Sequence, residues 1–169
     1  MAVEVSLVFI KPGNKKQAIE IIEFLEDRLR LSGNGSENYC FGRSMYVDIP
    51  HVPRKIIEKH YAHIPDEIKE SVFKEFEDKG VLLAVYAGEG IIRKIREIVG
   101  DTDPLKAGRD TIRGVFSPEG ESLEKALAQR RAVNNVIHSS AKSKKNREAE
   151  DEIRNWSHFL PYGEKGKVF

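Results

Sequence analysis

Asn135-Val136-Ile137-His138 ends in a histidine, and two small polar residues, Ser139 and Ser140, follow it. Val133, Val136 and Ile137 read as a short buried strand, so His138 stands where that strand runs out. A histidine there is held by a sheet yet open to solvent on one side. Four other stretches each place a cation or hydroxyl just past a regular element. Lys11 leaves an apolar strand, Arg96 lies one turn before a helix end, Thr102 sits beyond that helix, and Arg113 follows Thr111-Ile112. Asn135 precedes His138 by three residues. Pooled, these groups offer donors to several phosphate oxygens, and the planar fork of arginine suits phosphate especially well. Most Lys and Arg are solvated surface charges, however, and spacing alone does not bring these together.

The elements that must position them follow from hydrophobic period. Val3 to Ile10 alternates and then turns continuously apolar, a strand ended by Lys11-Pro12-Gly13. From Lys15 the period is helical, with Ala18, Ile22, Leu25 and Leu29 on one stripe. Phe41 to Ile49 is a second strand. Helices follow Pro53 and Pro65, the second carrying Ile68, Val72, Phe73 and Phe76. Val81 to Tyr86 is almost wholly apolar, as in a sheet centre, and the next helix stops at Gly100. Asp101 to Phe116 reads as a long ordered loop, and Ser117 to Arg131 as an excursion carrying one short helix. After His138 comes a helix with Ala149, Ile153 and Trp156 on one face. The order β-α-β-α-α-β-α-loop-β-α predicts an α+β, ferredoxin-like sandwich, with helices on one side of a four-stranded antiparallel sheet.

At 169 residues the chain suits one domain. Twenty-eight Lys and Arg against 27 Asp and Glu give a net charge of +1, so bulk charge argues neither for nucleic acid nor for membrane. No apolar run approaches the ~20 residues that span a bilayer, and no signal peptide is expected. Cys40 is the only cysteine, which fits a reducing, cytoplasmic home.

Several blocks together resemble the nucleoside diphosphate kinases. They are Gly100-Asp101-Thr102-Asp103-Pro104, Gly108-Arg109-Asp110-Thr111-Ile112-Arg113-Gly114-Val115-Phe116 and Asn135-Val136-Ile137-His138, in that order. Lys11-Pro12 and the helical pair His60-Tyr61 are similar to two further blocks, so the resemblance runs from about Val3 to Trp156. It implies a phosphoryl shuttle in which His138 takes the γ-phosphoryl of one nucleoside triphosphate and passes it to a different diphosphate. Lys11, Tyr61, Arg96, Thr102, Arg113 and Asn135 would gather phosphates and sugar. Mg²⁺ would arrive bridging the nucleotide's phosphates, and family members are usually tetramers or hexamers, so a homo-oligomer is expected. Physical chemistry agrees: histidine can be a covalent nucleophile, and the transfer is catalysed mainly by positioning and charge stabilisation. Glu152, between Ala149 and Trp156, can face inward to hold the far nitrogen of His138, a role a glutamate fills in the family.

The chain also departs from the family pattern. Gly13-Asn14 replaces Asp-Gly, Val115 stands where an aspartate is usual, and Ser139-Ser140-Ala141-Lys142 replaces Gly-Ser-Asp-Ser. Counting from Tyr61, the aromatic that stacks on the base falls at Lys69, and Phe73, one helical turn on, is the candidate substitute. Segments near 31–38 and 117–131 look like insertions, and a polar tail starts at Pro161. Two other classes compete: a catalytically weak nucleotide-binding relative, and a nucleic-acid-binding ferredoxin-like domain suggested by Arg130-Arg131 and by Lys142, Lys144, Lys145 and Arg147. The second lacks clustered strand aromatics.

Overall fold

The computed structural model describes residues 3–31, 45–141 and 148–160. The expected insertion beyond Leu31, the first residues of the second strand, the basic run at 142–147 and the tail from 161 lie outside these residues. Four strands form one antiparallel sheet in the order β2-β3-β1-β4. They are β1 (Val3–Ile10), β2 (Met45–Ile49), β3 (Val81–Glu89) and β4 (Ile137–Ser139).

The helices are α1 (Ala18–Leu31), α2 (Arg54–His60), α3 (Asp66–Phe76), α4 (Ile91–Val99), α5 (Ile112–Phe116), α6 (Leu123–Ala128) and α7 (Glu148–Trp156). Helix α1 starts later than its period suggests, because Pro12–Gln17 forms a 3-10 turn first. The sheet is covered on both faces, not on one as the element order suggested. Val8, Ile10, Leu82 and Ala84 pack under α1 and α4, while Leu7, Phe9, Leu83 and Val85 pack against α2, α3 and α7. Period-two alternation sends successive side chains to opposite layers, so a strand apolar at every position needs two covers. Burying each such Leu, Ile or Phe contributes about 1.5–3 kcal/mol, so both layers hold the sheet that carries the site.

Two further expectations need correction. His138 is the middle residue of β4, paired with Phe9, and does not stand beyond the strand's end. The strand starts late because the chain makes two tight turns first. The Asn135 N–H donates to Val133 O, and the Ile137 N–H to Asn135 O at 2.7 Å, with Val136 in the left-handed region at φ 54°. Such a conformation is an outlier for a β-branched residue. The segment from Asp101 to Phe116 is not loop throughout, since α5 begins at Ile112. Thr111 Oγ1 accepts from the Gly114 N–H and donates to Gly108 O, which caps α5 and folds the preceding loop back on it. Only glycine fits at 114: a Cβ there would lie 2.0 Å from Gly108 O.

Candidate active site

His138 is wedged among rings on the layer that holds α2, α3 and α7. Its imidazole stacks on Phe9 at 4.7 Å and meets the edge of His60 at 4.4 Å. Nε2 lies 3.2 Å from Glu152 Oε1, without the alignment of a hydrogen bond. The other carboxylate oxygen accepts from Ser140 Oγ at 2.5 Å. Ser140 is itself fastened: its N–H donates to Leu7 O, and its Oγ accepts from the Leu7 N–H at 2.9 Å. Strand β1 therefore fixes Ser140, Ser140 fixes Glu152, and Glu152 faces one nitrogen of His138. A carboxylate there favours a proton on Nε2, which leaves the lone pair on Nδ1.

His60 is buried and neutral. Burial, with the neighbouring His138, pushes its pKa down to about 2. The indole N–H of Trp156 donates to His60 Nδ1 at 3.2 Å. Among the described residues, His60, His138 and Glu152 are the one cluster of His, Cys, Asp or Glu near enough to share an ion, with ligand atoms within 4.8 Å of one another. Trp156 argues against that use. An indole only donates, so Nδ1 of His60 must accept, and a neutral ring then carries its proton on Nε2. No lone pair of His60 is left for a metal, and Mg²⁺ prefers oxygen ligands in any case.

The cationic residues converge at the end of the sheet beside β4. Lys11 is 7% exposed, and its Nζ donates to Val133 O at 3.1 Å. Burial lowers its pKa, aided by the Arg113 cation and opposed by Glu75 and Glu121. Arg113 spans the site, donating to Gly100 O at 3.1 Å, Thr102 Oγ1 at 3.4 Å and Ile137 O at 3.0 Å. Burial and the nearby Arg96 push its pKa to about 10, so it remains a cation at neutral pH. Asn135 Nδ2 donates to Thr102 O at 2.9 Å. Arg96 itself is exposed on the last turn of α4. Tyr61 caps α2, its ring packed against His60 and Phe76. Burial raises its phenol pKa, with Glu75 and Glu152 adding to the rise. The Tyr61 hydroxyl, Arg113 Nε and Asn135 Oδ1 are buried with no hydrogen-bond partner among the described residues. Unsatisfied polar atoms grouped in this way suit a polar ligand.

Phe73 lies elsewhere. The Arg54 guanidinium sits 4.9 Å over its ring, and with Val52, Ile57 and Phe76 it lines a separate pocket. Lys69 is engaged with Asp66 at 2.6 Å. Sequence reasoning overlooked Ser140, Trp156 as a polar partner, and His60 as a neighbour of His138. One signal was available: residues two apart in a strand share a face, which aligns Ser140 with His138.

Comparison with known proteins gives the family. The family model described as nucleoside diphosphate kinase matches residues 45–158, more than half of the chain. A nucleoside diphosphate kinase of Pyrobaculum aerophilum is 35% identical over 154 residues, covering 88% of this chain and 81% of its own. One from Streptococcus agalactiae is 26% identical over 140 residues, covering 81% and 88%. In fold, the chain matches the Borrelia burgdorferi nucleoside diphosphate kinase solved as a transition-state mimic with vanadate and ADP. The TM-score is 0.70 at 23% identity, over 91% of this chain and 86% of that one. The Asn-Val-Ile-His and Thr-Ile-Arg-Gly blocks thus lie in a matched domain, and the chain belongs to the nucleoside diphosphate kinase family.

Proposed function

We propose that this protein moves the γ-phosphoryl group of a nucleoside triphosphate to a nucleoside diphosphate through a phosphohistidine on His138. The observation that carries the reading is the carboxylate of Glu152 at 3.2 Å from His138 Nε2, itself held by Ser140. With the proton kept on Nε2, the lone pair of Nδ1 attacks the γ-phosphorus. A nitrogen–phosphorus bond forms as the bond to the β–γ bridging oxygen breaks, and the departing diphosphate keeps that electron pair. A second diphosphate reverses the step, giving ping-pong kinetics.

Lys11, Arg96 and Arg113 neutralise charge on the phosphate oxygens, while Thr102, Asn135 and Tyr61 orient phosphates and sugar. Magnesium would be carried in on the nucleotide and would help neutralise phosphate charge beside Lys11 and Arg113, and it would need no carboxylate cage of the protein's own. The base is held mainly by surface contact, without hydrogen-bonded readout. The protein works in the cytoplasm as a homo-oligomer. No helix among the described residues is long and apolar enough to cross a membrane.

Incubation with γ-labelled ATP tests the reading. The label should stay on the protein, resist alkali, be lost in acid, and discharge when a diphosphate is added. His138→Ala should abolish labelling with nucleotide affinity nearly unchanged, and Ser139→Ala should retain it. Wild-type transfer by His138→Ala, or label on a serine, would overturn the mechanism.

A further inference from the structure

We infer that Glu121 is a positioning residue for Lys11, acting with Arg131 to fasten the segment whose Val133 carbonyl receives the lysine's ammonium group. The inference rests on the phosphoryl-transfer reading, which uses Lys11 but gives no task to the excursion between Ser117 and Arg131. Glu121 lies just before α6 and is 6% exposed. Its carboxylate accepts a two-pronged contact from Arg131, at 2.6 Å from Nη1 to Oε1 and 2.9 Å from Nη2 to Oε2. Oε1 also accepts the Asn134 N–H at 2.8 Å, and Arg131 Nη1 donates to Ala132 O at 3.0 Å.

Those contacts grip the chain on either side of Val133. The Ala132 N–H is tied to Ser71 Oγ on α3, and Asn14 Nδ2 donates to the Asn134 side chain. Between these anchors the Val133 carbonyl is held facing Lys11 Nζ. A bidentate arginine–carboxylate pair that is mostly removed from solvent sets direction as well as distance. Removing either partner leaves the other half-buried and lets the segment drift, and small misplacements of a charge-stabilising group are kinetically expensive.

Lys11 is faced by Glu75 from α3, Arg113 from α5, Glu121 from the turn before α6, and the neutral His60 from α2. Glu121 raises the lysine's pKa against the lowering effect of burial. Both Glu121→Gln and Arg131→Gln release the Val133 carbonyl, an acceptor that favours the charged ammonium, so in both Lys11 should lose its proton sooner and the alkaline limb of kcat/KM should fall at lower pH. Glu121→Gln should move the limb further, because it also removes a negative charge. Without positioning, Arg131→Gln would only free the Glu121 carboxylate from its cation and move the limb to higher pH. Each displacement should be about 0.3–1 pH unit, and both variants should lose about 3–30-fold in kcat/KM near neutrality.

The experiment compares pH–rate profiles of wild type, Glu121→Gln and Arg131→Gln, alongside NMR titration of the lysine ε-carbons in the free protein. A lowered Lys11 pKa in both variants supports the inference. A raised value in Arg131→Gln, or a lower melting temperature with Lys11 titrating as in wild type, would reduce the clasp to a structural brace and overturn it. If Glu121→Gln does not fold, the sign in Arg131→Gln decides. A wild-type protein that transfers no phosphoryl group would defeat the earlier reading instead, and the NMR titration would still judge this one.

Discussion

Arg113→Ala is the perturbation that separates a group holding only substrate from one that also holds the protein. Its guanidinium joins three segments, with donors on Gly100 O after α4, on Thr102 Oγ1, and on Ile137 O one residue before His138. Truncation leaves two carbonyls and a hydroxyl short of a partner. A buried acceptor left unpaired costs about 1–3 kcal/mol. The two carbonyls are only partly buried and Thr102 is exposed to water, so roughly 1 kcal/mol for each carbonyl, about 2 kcal/mol in all, is the reasonable sum. For a chain of this length that lowers the melting temperature by about 4–8 °C. Turnover should fall by about 10²–10³, the usual loss for one preorganised charge donor. Arg96→Ala is the contrast: its side chain is exposed on α4, so turnover should fall while stability stays within about 0.5 kcal/mol of wild type. Arg113→Lys should be intermediate, because an ammonium group cannot span Gly100 O and Ile137 O together. Calorimetry and a coupled assay of triphosphate formation give both numbers. An Arg113→Ala protein that melts with wild type, or an Arg96→Ala protein that melts with Arg113→Ala, refutes the division of labour.

Ser140→Ala should lower turnover about tenfold by releasing Glu152, and should destabilise by about 1–3 kcal/mol because the Leu7 N–H loses its acceptor; denaturant melts and a phosphohistidine assay read the two effects separately. Gly114→Ala should abolish activity and strongly destabilise the protein, since its new methyl group meets Gly108 O at 2.0 Å; recovery of soluble, active protein would contradict this. His60 titrates at about 2 when folded and near 6.5 when unfolded. The unfolded chain therefore binds the extra proton between these values, and stability falls as pH drops through that window, by up to about 1.4 kcal/mol per unit. Urea titrations at pH 7 and pH 5 should show the loss, and His60→Gln should flatten it.

Much of this architecture can be read from residue order. The uninterrupted apolar runs at Leu7–Ile10 and Val81–Tyr86 already require a sheet covered on both sides, even though the element order alone suggested one. The stripe Ala149, Ile153 and Trp156 correctly turned Glu152 toward the core. Other features depend on where chains meet in space. The helical period of α3 says that Phe73 has a preferred face but not that Arg54 of α2 waits there. Likewise Trp156 reads as an apolar residue until its indole N–H is seen to meet His60. The clasp between Glu121 and Arg131 joins residues ten apart across a short helix, and among so many charged side chains no spacing rule singles it out. His138 was displaced by one step of strand because a left-handed valine is the last thing its sequence suggests.

That valine has a consequence for how the protein fails. A left-handed β-branched residue is disfavoured by about 1–3 kcal/mol and persists only where its surroundings impose it. Here the imposing groups are the Val136 side chain sealed under α4 and the Lys11 N–H gripping its carbonyl at 2.9 Å. Slight loosening of that layer lets the bend relax and carries the His138 backbone with it, while the remaining strands stay paired. Mild heat, dilute urea or a cavity mutation far from the site should thus extinguish catalysis before any optical sign of unfolding. The histidine in effect reads out the tightness of the core beneath it, and an activity assay becomes a finer gauge of this protein's integrity than its circular dichroism.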